Sequence, residues 1–426
     1  MTTREENQIL TRTGPGTPAG AWMRRYWQPV ALSEEVGPGS RPVPVRILNE
    51  DLVLFRDEDG RLGLIQRNCP HRCSDLSFGR LEDGGLRCLY HGWLFDVNGN
   101  CLEQPAEPPE SKFKDEIKAV SYPVCEAAGM VFAYLGAGEP PLLPDYEPFR
   151  APEAHVLAKR SVINCNYLQA LEGGYDPVHL SYLHRPLKRK DSRAIPGSDN
   201  KSADSYYTGD RRPQLDFERT DYGIRIYSVR ASGEDKQYVR TTNFIMPDIV
   251  AIVGQEGRIG EGYQMHWHVP IDDHHNMRYD LVFNRVRPLD KERHRARWAA
   301  DFAPTGERRT FENRYFQDPE LMRSSNFTGM GDSFQVHDAF ATESMGPIQD
   351  RTQEHLATSD RIIVQARRLI QEAIKDTEAG KEPLHVIRDP ARQDCTNIVV
   401  TSEVISKDVP YKDLWKIKAA KPQAAE

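Results

Sequence analysis

The sequence lacks the features of a membrane protein, a secreted protein or a nucleic-acid-binding protein. No run of about 18 apolar residues occurs in the chain, so a membrane-spanning helix is not expected. The first residues, MTTREENQ, are polar and contain no apolar stretch of the kind found in secretory signals. The net charge of -7 provides no basic surface for nucleic acid. We therefore expect a cytoplasmic protein whose partners include neither a membrane nor a nucleic acid.

Cysteine is scarce, and its distribution is uneven. Seven cysteines occur among 426 residues, and four of them fall in one short region, at Cys69, Cys73, Cys88 and Cys101. The odd number and the lack of an export signal argue against a disulfide framework. Clustered cysteines in an intracellular protein more often indicate metal or redox chemistry.

The hydrophobic pattern predicts an α+β protein with two domains behind an N-terminal segment. Residues 1–44 form that segment, in which AWMRRYW predicts a short helix that packs Trp22 and Tyr26 against a larger body. Residues 45–140 form a small β-domain, and residues 141–426 form a larger domain of mixed helix and strand.

Local signals support this division. Asn98-Gly99 is a strong signal for a two-residue hairpin turn within the β-domain. Strand-like runs occupy residues 222–287, and a helical pattern near 351–379 ends before Gly380. The residues around 186–215 are polar and basic, and this composition predicts a loop.

The strongest motif is NCPHRC followed by LRCLYHGW, which pairs one cysteine with one histidine twice. It contains Cys69-x-His71 and, 16 residues later, Cys88-x-x-His91. Two thiolates on one iron and two imidazoles on the other is the arrangement of a Rieske [2Fe–2S] cluster, an electron relay of raised potential. A structural zinc site also uses two Cys and two His, but it usually groups like with like. We expect the nearby Cys73 and Cys101 to be small packed thiols.

A second motif, Asp176-x-x-His179-x-x-x-x-His184, predicts a separate metal site. Two histidines and one carboxylate form the facial triad of non-haem Fe(II) oxygenases, which leaves positions open for O2 and substrate. The carboxylate must come from elsewhere in the chain. Asp338 in FQVHDAFATES is our choice, and its competitors are Asp332, Glu343 and Asp350.

Asp176 precedes the first of these histidines by three residues and has three possible roles. A buried carboxylate can hold the second nitrogen of a ligand histidine and fix its tautomer. It could also bridge to a cluster histidine and connect the two centres. The third possibility is a helix-start cap before Pro177.

Together these segments resemble the large (α) subunit of Rieske non-haem iron aromatic oxygenases, in the phthalate dioxygenase branch. The resemblance is carried by GTPAGAWMRRYWQPVAL, CPHRC, CLYHGWLFD, NYLQALEGGYDPVHLSYLH and ESMGPIQDRTQEHLATSD, and spans about residues 13–366. It implies a Rieske β-domain joined to a catalytic domain with a curved antiparallel sheet covered by helices. It also implies a [2Fe–2S] cluster on the four Cys and His ligands. The mononuclear Fe(II) would lie on His179, His184 and Asp338.

The resemblance also implies partners, and at one position this sequence departs from many members of the family. Such subunits form rings, often trimers, in which Asp176 would bridge between neighbouring subunits. Electrons would come from NADH through a reductase that carries FMN and a plant-type [2Fe–2S] centre. Cys73 is the departure, because many relatives have glycine at this position.

The expected function is that of a terminal oxygenase that hydroxylates an aromatic carboxylate with O2. One alternative is an O-demethylase that hydroxylates a methoxy group, and another is a non-catalytic Rieske electron carrier. An aromatic acid calls for a cationic anchor, and the candidates are Arg240, Arg185 and Lys188, although for each of them the composition favours a solvated surface charge. His266 and His268 alternate along one predicted strand, and we expect ordinary strand residues there.

Overall fold

A computed structural model describes residues 2–187, 195–198, 201–254 and 260–419 of the chain. Helices α1–α9 are, in chain order, Arg4–Thr11, Pro18–Met23, Tyr167–Tyr175, Ala203–Gly209, Lys291–Trp298, Pro319–Ser324, Phe334–Glu343, Arg361–Glu378 and Leu414–Ala419. Within these ranges, no helix is long and apolar enough to cross a membrane.

Strands β1–β19 are, in chain order, Trp27–Leu32, Val43–Ile47, Glu50–Arg56, Leu62–Gln66, Arg80–Glu82, Gly85–Arg87, Leu94–Phe95, Cys101–Glu103, Ser121–Tyr122, Val124–Ala127, Met130–Tyr134, Val156–Ile163, Gln214–Arg219, Gly223–Ala231, Lys236–Ile245, Ile249–Val253, Gly262–Pro270, Asn276–Asn284 and Thr401–Ser406. The predicted α+β class is confirmed.

The N-terminal residues are tied to the body of the protein. The predicted short helix is present as α2, but it begins at Pro18 and ends at Met23, before Tyr26. Trp22 and Tyr26 are both buried, and the Tyr26 hydroxyl donates to the Leu384 carbonyl at 2.7 Å. Strand β1 pairs antiparallel with β11, which itself pairs with β10. The N-terminal segment therefore contributes helices α1 and α2 and strand β1 to the structure.

Two four-stranded antiparallel sheets make up most of the region between residues 43 and 122. Their strand orders are β2-β3-β4-β9 and β5-β6-β7-β8, and they enclose a small apolar core around Val53, Phe55 and Phe95. The predicted hairpin at Asn98-Gly99 joins β7 to β8. Gly99 has a φ of 79°, and a Cβ there would lie 2.2 Å from the Ala119 carbonyl oxygen. Only glycine suits this turn.

One large antiparallel sheet organises the second half of the chain. Its strand order is β12-β18-β17-β16-β15-β14-β13, and β19 pairs with the first part of β15. On β17, Met265, Trp267 and Val269 point into the main apolar core. Because side chains alternate along a strand, His266 and His268 lie on the opposite face.

Helix α3 packs on this sheet, and two polar side chains fix it to later parts of the chain. Gln169 donates to the Thr342 and Gly346 carbonyls, both at 2.8 Å, at the end of α7. Glu172 accepts from Arg367 on α8 at 2.5 Å and from Arg351 at 3.0 Å. All three charged groups are buried, so each depends on the others.

The helical pattern predicted near 351–379 is only partly helical. Helix α8 occupies Arg361–Glu378, and short 3-10 turns at Arg351–Gln353 and Thr358–Asp360 precede it. Gly380 follows with a φ of 72°, as a helix stop requires. The predicted loop around 186–215 contains α4, while residues 188–194 and 199–200 lie outside the described residues.

Removal of the Glu172 carboxylate should destabilise the fold strongly. In Glu172→Ala, the buried Arg351 loses its counter-charge and the buried Arg367 keeps only Glu354. We expect the free energy of unfolding to fall by about 3–5 kcal/mol. Urea unfolding followed by circular dichroism measures this loss. The matched control is Glu372→Ala, which removes an ion pair with Arg219 whose side chains are 52% and 46% exposed. It should cost at most about 1 kcal/mol, and equal losses would contradict the prediction.

Acid should destabilise the protein through His268. Burial, followed by the charges of Arg278 and His266, lowers the pKa of His268 to about 3. The unfolded chain, with a histidine pKa of about 6.5, therefore takes up this proton first as the pH falls. The resulting stability loss is about 1 kcal/mol between pH 6 and pH 5. His268→Gln should remove that part of the pH dependence in urea titrations, and an unchanged slope would contradict the prediction.

Candidate metal centres

The four residues of the Cys/His motif lie in two turns of the same construction. The Cys69 amide donates to the Ser74 carbonyl at 2.8 Å, and the Cys73 amide donates to the Cys69 carbonyl at 2.9 Å. In the second turn, the Cys88 amide donates to Trp93 at 2.8 Å and Gly92 donates to Cys88 at 3.0 Å. Each turn thus places one cysteine and one histidine at the same end of the β-domain.

The two sulfurs lie inside and the two imidazoles outside. Cys69 and Cys88 are buried, whereas His71 is exposed and His91 is half-buried. The rings of His71 and His91 are 4.5 Å apart, and Trp93 stacks on His71 at 4.4 Å. These four side chains are therefore grouped at one surface of the domain.

The chemistry of this donor set fits a Rieske cluster. Burial, together with the neighbouring Cys88, raises the pKa of Cys69 to about 12, so a cation is needed to hold the thiolate. Nδ1 of His91 is buried and has no hydrogen-bond partner among the described residues. An inner pair of thiolates and an outer pair of nitrogens suits one iron bound by sulfur and a second iron, nearer the surface, bound by nitrogen.

Cys73 and Cys101, the two cysteines close to the motif, differ in their exposure. Cys101 is buried, as expected, but Cys73 is exposed, so its interpretation as a packed thiol is wrong. Cys73 has a φ of 60°, and Gly92 occupies the equivalent position of the other turn with a φ of 76°. The turn thus demands a left-handed residue at this position, and Cys73 takes that conformation without glycine's freedom.

His179, His184 and Asp338 come together and offer three ligand atoms within 4.8 Å of one another. Asp338 Oδ1 lies 2.9 Å from His184 Nε2 and 4.0 Å from His179 Nε2. Two donors at right angles on one metal, each about 2.1 Å from it, lie about 3 Å apart. Small adjustments therefore suffice for a single metal ion.

These ligand atoms come from two distant segments of the chain. His179 begins a short 3-10 turn, His179–Ser181, that follows the end of α3, and His184 lies in the turn after it. Asp338 lies on α7, whose first turn is capped by the Ser333 hydroxyl. The hydrogen bonds of Gln169 to the end of α7 hold these two segments together.

Asp338 is held in its ionised form by the groups around it. Burial opposes ionisation, but His184, His179 and Arg278 together lower the pKa of Asp338 below its usual range. Arg278 Nη1 lies 3.6 Å from Asp338 Oδ2, and its Nε donates to Asp280 at 2.7 Å. The sequence reasoning missed Arg278 and Asp280, because only the pairing of β18 within the sheet brings them to this site.

Each histidine has a different partner on its other ring nitrogen. Asp176 Oδ2 lies 3.6 Å from His179 Nδ1, and Asp176 Oδ1 accepts from the Val178 amide at 2.8 Å. Asp176 is the C-cap of α3, and Val178 rather than Asp176 is the N-cap of the 3-10 turn that follows. His184 Nδ1 lies 3.3 Å from Nδ1 of His337, a residue that the sequence reasoning also missed. Its position directly before Asp338 was the available signal.

The three competing carboxylates, Glu343, Asp350 and Asp332, have other positions and contacts. Glu343 accepts from the Asn164 amide at 2.8 Å and from the Tyr315 hydroxyl. Asp350 caps the 3-10 turn Arg351–Gln353. Asp332 is exposed and lines the cavity described below.

A cavity of about 1010 Å³ opens beside His179, His184 and Asp338. Its walls include His266 and His268 on β17 and Arg240 on β15, so these histidines face the cavity rather than ordinary core. Arg240 donates to the Tyr207 hydroxyl at 2.7 Å, and no described carboxylate pairs with it. Arg185 is half-buried and is not among the described cavity-lining residues, and Lys188 lies outside the described residues.

Two family models match the chain. One, described as the Rieske [2Fe-2S] domain, matches residues 26–123. The other, described as LigXa C-terminal domain like, matches residues 133–425. Together they cover most of the sequence and both groups of Cys, His and Asp residues.

Similar proteins are oxygenase subunits. The chain is 34% identical to the phthalate 4,5-dioxygenase oxygenase subunit of Pseudomonas putida, over 97% of this chain and 94% of that protein. It is 33% identical to the 5,5'-dehydrodivanillate O-demethylase oxygenase subunit of Sphingobium sp., over 92% and 85%. It is also 33% identical to the 3-chlorobenzoate-3,4-dioxygenase oxygenase subunit of Comamonas testosteroni, over 89% and 90%.

Solved structures share the fold. Dicamba monooxygenase bound to dicamba has a TM-score of 0.60 at 19% identity, covering 84% of this chain and 99% of that chain. The terminal oxygenase of carbazole 1,9a-dioxygenase from Novosphingobium sp. KA1 has a TM-score of 0.57 at 22% identity, over 90% and 96%. The chain therefore belongs to the Rieske non-haem iron oxygenases, enzymes that carry a Rieske [2Fe–2S] cluster and a mononuclear iron and incorporate O2 into their substrates.

Proposed function

We propose that this terminal oxygenase hydroxylates an aromatic carboxylate, and the observation that carries the proposal is Arg240. Its guanidinium lines the cavity beside the three candidate ligands, and its described neighbours are phenols rather than carboxylates. Arg240 is half-buried, and a guanidinium without a counter-charge offers a strong site for a substrate anion. The relatives named for phthalate and 3-chlorobenzoate, both aromatic acids, support this substrate class.

Cys69, His71, Cys88 and His91 would hold the cluster, in a Rieske domain spanning residues 45–140. His179, His184 and Asp338 would hold the mononuclear iron, in a catalytic domain spanning residues 141–426. When bound, the cluster supplies single electrons and the iron supplies the site of O2 reduction. The convergence of three ligand atoms on one point supports the second assignment.

The side chains of the site have separate tasks in this reaction. Arg240 would hold the substrate carboxylate, which orients the ring in the cavity. Arg278 would keep the Asp338 carboxylate ionised and fix the direction in which it points. Asp176 would accept a hydrogen bond from His179 Nδ1, which leaves Nε2 of that ring without a proton. The walls of the cavity would exclude bulk water from the substrate.

Electrons would reach this site from a second copy of the chain. His71 is exposed, so the histidine end of the Rieske domain can dock against another surface. Tyr182, Phe327 and Phe334 are exposed aromatic residues beside the mononuclear site, and such a patch suits a protein interface. We expect a trimer or a multiple of it, in which Asp176 bridges to a cluster histidine of the neighbouring subunit.

The external donor would be a reductase that carries FMN and a plant-type [2Fe–2S] centre. Solved carbazole 1,9a-dioxygenase structures contain the oxygenase in complex with a ferredoxin, which supports a protein donor. Apolar side chains next to the cluster turns, Phe78, Leu89 and Tyr90, are exposed and could contact such a donor.

Demethylation is the second candidate reaction. One relative is an O-demethylase, and the fold is shared with dicamba monooxygenase. Hydroxylation of a methoxy carbon would release formaldehyde and leave a phenol. The electron-carrier alternative does not account for the second group of ligands or for the oxygenase relatives.

A screen of oxygen uptake tests the proposal. The purified protein, a surrogate reductase and NADH are incubated with aromatic acids, methoxylated aromatic acids and neutral aromatics, and products are identified. A cis-diol from an aromatic acid, or a phenol formed without formaldehyde, supports the leading candidate, and a phenol formed together with formaldehyde supports demethylation. Coupled turnover of the neutral aromatics alone would contradict an acid substrate.

Loss of the proposed carboxylate ligand should remove the mononuclear iron without affecting the cluster. Asp338→Ala, like His179→Ala, should retain the visible spectrum of the cluster and lose turnover, because the Rieske ligands lie in the other domain. Iron analysis should give about three irons per chain for the wild type and about two for each variant. Full iron content in Asp338→Ala would contradict the assignment, and a lost cluster spectrum would indicate a misfolded chain.

Removal of the proposed anchor should weaken selection for acids. Arg240→Gln should lower kcat/KM for the best aromatic acid about 30-fold, equivalent to about 2 kcal/mol for a charged hydrogen bond. Kinetics with the matching amide, which lacks the charge, should change much less. Arg219→Gln, at the exposed pair with Glu372, is the control. A larger effect from Arg185→Gln would move the anchor to Arg185.

A further inference from the structure

His337 is a buried histidine that contacts a proposed iron ligand without being near enough to the metal site to serve as one itself. It precedes Asp338 on α7, and only 2% of the residue is exposed. Its Nδ1 lies 3.3 Å from His184 Nδ1, and its Nε2 lies 3.0 Å from the Gly331 carbonyl oxygen. The two imidazole rings are nearly parallel, at an angle of 20°.

The Gly331 carbonyl is itself fixed in place. Asn326 Nδ2 donates to it at 2.9 Å, while Asn326 Oδ1 accepts from the Gly329 amide at 2.8 Å. Because a backbone amide can only donate, the orientation of the Asn326 side chain is unambiguous. The carbonyl therefore presents its second lone pair to His337.

These contacts indicate where both histidines carry their protons when a metal ion lies between His184 Nε2 and Asp338 Oδ1, which are 2.9 Å apart. A carbonyl can only accept, so His337 Nε2 must carry the proton that it donates to Gly331. A neutral ring that is protonated on Nε2 has its lone pair on Nδ1, so this atom can only accept. The facing atom, His184 Nδ1, must therefore be the donor. The opposite assignment would place two lone pairs against each other at the Gly331 carbonyl.

We propose that His337 is a positioning residue that keeps the proton of His184 on Nδ1 and so leaves Nε2 free to bind the metal. This inference rests on the proposed role of His184 as an iron ligand. The two ligand histidines are then oriented by different groups, His179 by a carboxylate and His184 by a neutral imidazole. A neutral acceptor fixes the tautomer without adding a negative charge beside the site.

Metal-binding measurements on three variants test this role. His337→Phe keeps the ring volume but has no acceptor, His337→Asn places Oδ1 near the former Nδ1, and His184→Ala removes the ligand itself. The mononuclear metal is removed with a chelator while the cluster is retained. Co(II) is then titrated back and followed by EPR of the oxidised protein, in which the cluster is EPR-silent.

We expect His337→Phe to weaken Co(II) binding about 10- to 100-fold and to alter the Co(II) signal. His337→Asn should restore most of the affinity, and His184→Ala should abolish specific binding. The visible spectrum of the cluster reports correct folding, and His337→Leu replaces the Phe variant if that chain does not fold.

Two results would overturn the inference. One is wild-type affinity in His337→Phe, and the other is equal weakening by Phe and Asn, which would assign His337 to packing alone. Failure of the proposed metal site gives a different result, because the wild type and His184→Ala would then bind Co(II) alike.

Discussion

The proposed mononuclear site depends on the attachment of one short helix to the end of another. His184 and Asp338 are far apart in the sequence, so nothing local brings their ligand atoms within 2.9 Å of each other. Helix α3 carries the attachment through Gln169, which hydrogen-bonds to carbonyls in the last turn of α7 and just after it, and through Glu172, which is held by two buried arginines. Neither side chain touches the ligands. A shift of α3 against α7 by about one ångström would nevertheless separate the histidines from the carboxylate, and such errors can cost a site its activity.

The two proposed centres use similar residue types but differ in their accessibility. The cluster turns bury their sulfurs and expose their imidazoles, so the centre is accessible to another protein at its nitrogen end. The proposed mononuclear site lies at the wall of a large cavity, where Arg278, Asp280 and His337 surround one carboxylate and two imidazoles. Accessibility suits electron exchange, whereas enclosure suits a reaction from which water must be kept away.

The sequence predicted what is encoded locally. The Cys/His turns, the His179–His184 pair, most strands of the large sheet and the hairpin at Gly99 all depend on residues close together in the chain. Asp338 could be named only with competitors until the resemblance was considered, because its partners lie on another segment. Arg278 and His337 escaped notice because sheet pairing and helix packing, rather than spacing, bring them to the site. Cys73 was misjudged because its exposure follows from a backbone conformation that its residue type does not suggest.

The repeated turn at the cluster site has a consequence for how the protein matures. Both turns are closed by hydrogen bonds between backbone groups, and none of these bonds involves a ligand side chain. The backbone of both turns is therefore held by its own hydrogen bonds, and the cluster would need to order only the four ligand side chains. The two imidazoles lie at the surface, where an assembly factor could reach them, and the two thiols are buried behind them.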